Sequence, residues 1–301
     1  MYVVGADENG LGPQLGPMVA TAVTLEVESY AAGRLRRRGE ALGIADSKRT
    51  SAFGRMAVAE GLALALAERE IGRVPEDLDD FLSALGLDGP LSLRAPCPDA
   101  ANARQCHSEP MPIPAYGGDV ADGRDRLRRL EGRSVLRVRR VRSALACVGV
   151  INDSIARGRS KWVLDLALFE RLLLDAAAAT GGRVEAHCGM VGGIRSYPDY
   201  STAFSPEDWS PIEGAEGGRA YELARIGAVR FELSADANHL AVAIASMVGK
   251  YVRELTMERI VRFYRAVDPA LPEASGYHDP VTRKFVTGAS KQLAVLGVRD
   301  A

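Results

Sequence analysis

The stretch Tyr2–Leu25 (YVVGADENGLGPQLGPMVATAVTL) constrains this chain most. A short apolar run, Tyr2 to Val4, leads into two adjacent carboxylates, Asp7 and Glu8. Gly10, Gly12, Pro13, Gly16 and Pro17 follow, and a second apolar run spans Met18 to Leu25. Apolar runs separated by Gly and Pro read as a strand, a tight loop and a second strand, with the acids where the first strand ends. Glycines there allow positive φ or let a backbone approach a ligand closely. Neighbouring carboxylates repel unless something positive, such as a metal ion, sits between them. The plainer reading of these residues alone is a solvated turn capped by an Asp.

Bulk properties bound the rest. The 301 residues suffice for a substantial core, as one large domain or a domain with an appendage. The formal net charge of −1 announces no polyanion partner, so any nucleic-acid surface has to be local. Cys97, Cys106, Cys147 and Cys188 form no C-x-x-C pair, and with no signal peptide in view they read as reduced thiols of a cytoplasmic protein. No apolar run approaches the ~20 residues of a membrane span.

Along the chain, the basic run Arg34 to Arg38 reads as a solvated helix or loop rim. Asp46-Ser47-Lys48 precedes a helical pattern, Ser51 to Arg69, and suits an N-cap region. Residues 86–125, punctuated by Pro90, Pro96, Pro98, Pro110, Pro112 and Pro114, read as a loop-like, mobile insertion. Cys97, Cys106 and His107 inside it match no standard zinc spacing. The stretch 124–142 is rich in arginine; Val135 to Val141 partly alternates and reads either as a phosphate-binding strand face or as a charge-protected edge strand. Ser160 to Thr180 is an amphipathic helix with Trp162, Leu166, Phe169, Leu172, Leu173 and Ala176 on one side, and Asp165 reads as surface or capping. Arg183 to Met190 and Ala228 to Leu233 read as strands, and Asp236 opens an Ala-rich helix over 237–265. Tyr197, Tyr200, Phe204 and Trp209 lie in a Gly/Pro-interrupted stretch, where they either stack bases or pin the loop.

Several of these pieces together resemble the type 2 ribonucleases H (ribonuclease HII), closest to the archaeal and eukaryotic branch, with a degenerate active site. That family's D-E-x-G-R-G-P signature and following G-P-[ML]-V strand stand here as Asp7-Glu8-Asn9-Gly10-Leu11-Gly12-Pro13 and Gly16-Pro17-Met18-Val19. Asp46-Ser47-Lys48 is similar to its D-S-K motif. Ala235-Asp236-Ala237 with Ala241 to Lys250 and Arg253 is similar to its D-A…A-A-S-I-x-A-K…R segment. Ser275-Gly276-Tyr277 with Asp279-Pro280 and Thr282 to Phe285 is similar to its S-G-Y-x-x-D-P-x-T-x-x-F element.

The resemblance implies an α/β ribonuclease H-like fold, a mixed central β-sheet flanked by helices with a helical C-terminal extension. Residues 1–265 would form the main domain, including the insertion at about 86–125, and 266–301 would pack on it. It implies a metal-dependent endonuclease acting on RNA in RNA–DNA hybrids or on ribonucleotides embedded in duplex DNA. Asp7, Glu8 and Asp236 would be three of its four metal-binding acids, holding two Mg²⁺ or Mn²⁺ ions about 4 Å apart. Gly10, Leu11 and Gly12 would read the 2′-hydroxyl through the backbone, Lys48 would contact a phosphate, and Tyr277 would pack on the neighbouring sugar.

The chain departs from the pattern twice. Leu11 replaces an arginine. The third acid, which ends a strand just before a glycine, is absent: Ala186, His187 and Cys188 precede Gly189, and Glu185 would need a register shift. His187 or Cys188 stands as a substitute ligand, and Mn²⁺ tolerates imidazole better than Mg²⁺ does. Two alternatives stay open: a catalytically inactive nucleic-acid-binding module, or a structural subunit that meets a protein partner through 86–125 or 124–142.

Overall fold

The computed structural model describes residues 1–45, 56–93, 105–132, 136–214 and 219–291. Asp46, Ser47, Lys48, Cys97 and Arg133 lie outside the described residues.

Seven strands form one mixed sheet in the order β3-β2-β1-β4-β7-β6-β5. They are β1 (Tyr2–Asn9), β2 (Met18–Val27), β3 (Leu136–Ala146), β4 (Val184–Gly189), β5 (Trp209–Pro211), β6 (Ala220–Leu223) and β7 (Gly227–Glu232). β1, β2 and β3 form an antiparallel meander, whereas β4 joins β1, and β7 joins β4, in parallel. β5 and β6 close the far edge as antiparallel neighbours of β7. The helices are α1 (Ala32–Glu40), α2 (Ala57–Ile71), α3 (Leu78–Leu85), α4 (Val120–Glu131), α5 (Val148–Ala156) and α6 (Lys161–Thr180), then α7 (Ala235–Asn238), α8 (Leu240–Arg265) and α9 (Pro280–Ser290). A parallel pair needs a crossover, which α5 and α6 supply between β3 and β4. This is the expected mixed central sheet flanked by helices.

Strand alternation divides the core in two. Val3, Val19, Val23 and Leu25 face α2, α3, α4 and α8, while Val4, Ala6, Met18 and Ala20 face α6, where Leu166, Phe169 and Leu172 are buried. The small residues at the start of α8 let it lie directly on β1. A Cβ at Gly5 would stand 2.2 Å from the Val242 nitrogen, and one at Gly249 would stand 2.9 Å from Thr21 Oγ1. Farther along α8, Met257 and Val261 form a small separate core with Leu271, Ala274, Phe285 and Ala289, which seats the C-terminal segment.

Several expectations are corrected by packing. The described part of the insertion is held rather than loose. Glu60, fully buried on α2, accepts N–H bonds from Ala115 (2.6 Å), Tyr116 (2.8 Å) and Gly118 (2.7 Å), and Met111 and Ile113 enter the core. Among the described residues, most arginines of the arginine-rich stretch are engaged by acids rather than left free for phosphates. Arg124 pairs with Glu68, Arg126 with Asp122, Arg128 and Arg129 with Asp125, Arg139 with Glu26, Arg140 with Asp175 and Arg142 with Glu70. β3 is the sheet's edge, so the charge-protected edge strand is the reading that holds. Arg36 in the first basic run is buried rather than solvated, donating to the Ala237 carbonyl at 2.9 Å. Trp162 is 42% exposed, off the buried side of α6. Tyr197, Phe204 and Trp209 are buried and pin their segment, leaving Tyr200 exposed. Among the described residues no helix is long and apolar enough to cross a membrane.

The contact at Gly5 gives a direct test. Gly5→Ala forces a methyl into the α8 backbone, where no flexible side chain can yield, and should cost about 3 kcal/mol or more. Chemical denaturation of wild type and variant measures it.

Candidate active site

β1 ends at the mouth of a cavity of about 320 Å³ lined by Asp7, Glu8, Asn9, Gly189, Met190, Glu232, Ser234, Asp236 and Ser246. Asp7 and Glu8 arrive on β1, Gly189 on the parallel β4, and Asp236 on α7, just past the turn that follows β7. That turn is tight: Ser234, a non-glycine residue, takes φ +52° just before α7. Strain of this kind persists where the surroundings over-determine it, and here it aims Asp236 at the end of β1.

The carboxylates are close enough to perturb one another. Burial pushes the Asp7 carboxyl up to about 7, a hydrogen bond with Ser246 works the other way, and the charges of Asp236 and Glu8 raise it further. Glu8 accepts the Leu11 N–H at 3.1 Å, folding the glycine-rich loop back over the acid pair. Gly10 and Gly16 take φ of +115° and +109°, and a Cβ at Gly12 would meet nothing within 4 Å, so the backbone there is open to approach.

A fourth carboxylate was not legible as part of this site. Asp165, on α6, is fully buried rather than at the surface, and neither of its side-chain oxygens has a hydrogen-bond partner. Burial raises its pKa well above the usual carboxylate range, and the charges of Glu8 and Asp7 add to the shift. An isolated buried carboxyl with no partner is costly, and this one is held beside two others. Its only sequence signal is an acid flanked by Leu164 and Leu166 on α6.

The position on β4 that flanks Asp7 is Gly189. A Cβ there would stand 2.6 Å from Asp7 Oδ1, so the sheet brings a residue without a side chain to the place where a third acid is missing. Cys188 faces the core of α6 instead, and burial, then Glu232 and Asp7, push its thiol far up. His187 turns its Nδ1 to Glu232 at 2.6 Å rather than to Asp7. Glu185 shares His187's side of the strand, 3.4 Å from its Nε2, and is paired with Arg230.

The other expected binding residues divide in two. Lys48 lies outside the described residues. Tyr277 is 45% exposed, and the buried Arg253 guanidinium sits 4.6 Å from its ring centroid. The Gly276 carbonyl accepts N–H bonds from Gln14 (2.9 Å) and Leu15 (3.0 Å), clasping this segment to the glycine-rich loop. Leu11 packs its side chain against the α6-side core.

The acid cluster sets a pH dependence. A carboxyl raised in the folded state holds its proton more tightly there, so its stabilising contribution is present in acid and is lost as pH rises from 3.8 through about 7. In EDTA, the melting temperature should fall between about pH 6 and about pH 8. Mn²⁺ should raise it more at the higher pH, and thermal scans with and without the ion check both.

No protein-family model and no curated protein matches the sequence. Among solved structures, the chain is similar to ribonuclease HII of Archaeoglobus fulgidus, seen in complex with PCNA, at 16% identity over 100% of this chain and 92% of that one, with a TM-score of 0.45. It is similar to ribonuclease H2 of Pyrococcus horikoshii OT3 at 16% identity over 98% and 89%, with a TM-score of 0.44. It is also similar to Bst ribonuclease HIII in complex with Mn²⁺, at 16% identity over 97% and 71%, with a TM-score of 0.44.

Proposed function

We propose that the chain is a divalent-cation-dependent nuclease of the ribonuclease H type. It hydrolyses RNA in RNA–DNA hybrids or at ribonucleotides embedded in duplex DNA. The observation that carries this reading is that Asp7, Glu8 and Asp236 line one cavity, where the charges of Asp236 and Glu8 raise the Asp7 carboxyl; Asp165, buried without a hydrogen-bond partner, is near enough for Glu8 and Asp7 to raise it too. Such a set is repulsive on its own and becomes favourable around cations.

The donors are all carboxylate oxygens, which suits Mg²⁺ or Mn²⁺. Asp7, Glu8 and Asp236 would hold the ions, and Asp165 would take the place of the acid that Gly189 lacks. Bound ions supply a readied water and charge stabilisation of the leaving oxygen. The chain's own residues do the rest. Ser246 fixes Asp7 by a hydrogen bond, and the Leu11 N–H orients Glu8. The open backbone at Gly12 is available to a 2′-hydroxyl, the group that distinguishes RNA from DNA. Tyr277, braced by Arg253, offers an exposed ring to an adjoining sugar.

Gly189 favours a second reading, a hybrid-binding module without turnover. One experiment separates the two. A duplex with a single ribonucleotide, an RNA–DNA hybrid and an all-DNA duplex are incubated with Mg²⁺ or Mn²⁺. Cleavage confined to the ribonucleotide-containing substrates, abolished by Asp7→Asn and reduced about 100-fold or more by Asp165→Asn, is expected. Binding without cleavage would select the module. Cleavage indifferent to Asp7→Asn would overturn the assignment of the site.

A further inference from the structure

Behind one wall of the acid cavity lies a different donor set. His187 on β4, Glu232 at the end of β7 and His239 between α7 and α8 each present one ligand atom, and these atoms lie within 4.8 Å of one another. His187 Nδ1 is 2.6 Å from Glu232 Oε1, and His239 Nε2 is 3.0 Å from Glu232 Oε2. The two imidazoles stack with centroids 3.8 Å apart, and both are over nine-tenths buried. We propose that His187, Glu232 and His239 form a separate metal site for a borderline transition ion of the Zn²⁺ class.

The outer contacts favour this over a plain hydrogen-bond network. An ion on Nδ1 of His187 and Nε2 of His239 would leave each ring its proton on the opposite nitrogen. His239 Nδ1 lies 2.5 Å from the Tyr30 hydroxyl, and His187 Nε2 lies 3.4 Å from Glu185 Oε1. Each ring would thus donate to an oxygen already in place, the arrangement that fixes tautomer and ring orientation around bound metals. Without an ion, His187 Nε2 is buried with no hydrogen-bond partner. Protonating both stacked rings to satisfy every nitrogen would set two like charges face to face.

Two imidazoles and one carboxylate suit Zn²⁺ and its neighbours in the transition series and are poorly matched to Mg²⁺ or Ca²⁺. The site is chemically distinct from the all-oxygen cluster of Asp7. It is also mechanically coupled to it, because Glu232 lines the same cavity and the turn it begins carries Asp236. An ion here would tie β4, β7 and the start of α8 together at the cavity wall.

The test uses the protein stripped of metal, in an Asp7→Asn/Asp236→Asn background that disables the acid cluster by removing two of its carboxylates. Co²⁺ is titrated while visible absorption is followed, and Zn²⁺ then competes. The expected result is about one Co²⁺ per chain with an intense low-symmetry spectrum, displaced by Zn²⁺. Affinity should drop at least about 100-fold in His187→Ala and in His239→Ala, and about 10- to 100-fold in Glu185→Gln. Folding of each variant is checked by thermal melting, and Glu185→Gln, at the partly exposed rim, keeps the test decisive should a histidine variant not fold. No intense spectrum, or a spectrum unchanged in both folded histidine variants and in Glu185→Gln, would overturn the proposal. Neither outcome bears on hybrid cleavage by the parent protein, so this site and the nuclease reading fail independently.

Discussion

The structure depends on how closely α8 lies on β1. Gly5 leaves the strand without a side chain just where the helix backbone arrives, and Gly249 does the reverse from the helix side. Between those contacts Ser246 reaches Asp7. The same helix continues to Arg253, whose buried guanidinium touches Tyr277, and to Met257, which helps seat the C-terminal segment. One close strand–helix packing therefore positions the carboxylate pair, its hydrogen-bond support and the exposed ring at the far end. Small residues here are a geometric requirement of the site, and the apolar burial they give up is recovered along the rest of the helix.

The second organising constraint is electrostatic. Acids from β1, α6 and α7 are gathered near one another, so Asp236 and Glu8 add to the proton affinity that burial gives Asp7, and Glu8 and Asp7 add to that of Asp165. A fold that stores repulsion at one point gives up stability there, and such points coincide with function. The neighbouring histidine–glutamate group is the opposite case. Its groups are hydrogen-bonded, its rings stack, and its outer contacts are in place. Two clusters of different polarity and donor type thus share one cavity wall.

Some of this was legible in the sequence. The strand–loop–strand at the N-terminus could be read because apolar runs, acids and glycines fall within one short segment and obey local rules. Asp165 could not be placed, since an acid on an amphipathic helix ordinarily marks the solvated face, and only the fold shows that it is buried. His187, Glu232 and His239 carry no spacing signal, because their meeting depends on β4 and β7 pairing in parallel. The arginines of α4 and β3 left a phosphate surface and a charge-protected edge both open for a similar reason. Their acidic partners, Glu26, Glu68, Glu70 and Asp175, sit on other elements and are invisible to a local reading.

The clasp between Gly276 and the backbone of Gln14 and Leu15 has a consequence for how the pocket forms. It joins two segments far apart in sequence, a contact whose loop-closure cost is met only after nearer contacts are made. The loop above the β1 carboxylates therefore gains its brace once the intervening sheet and helices have closed, and the pocket is finished as one of the last events of folding.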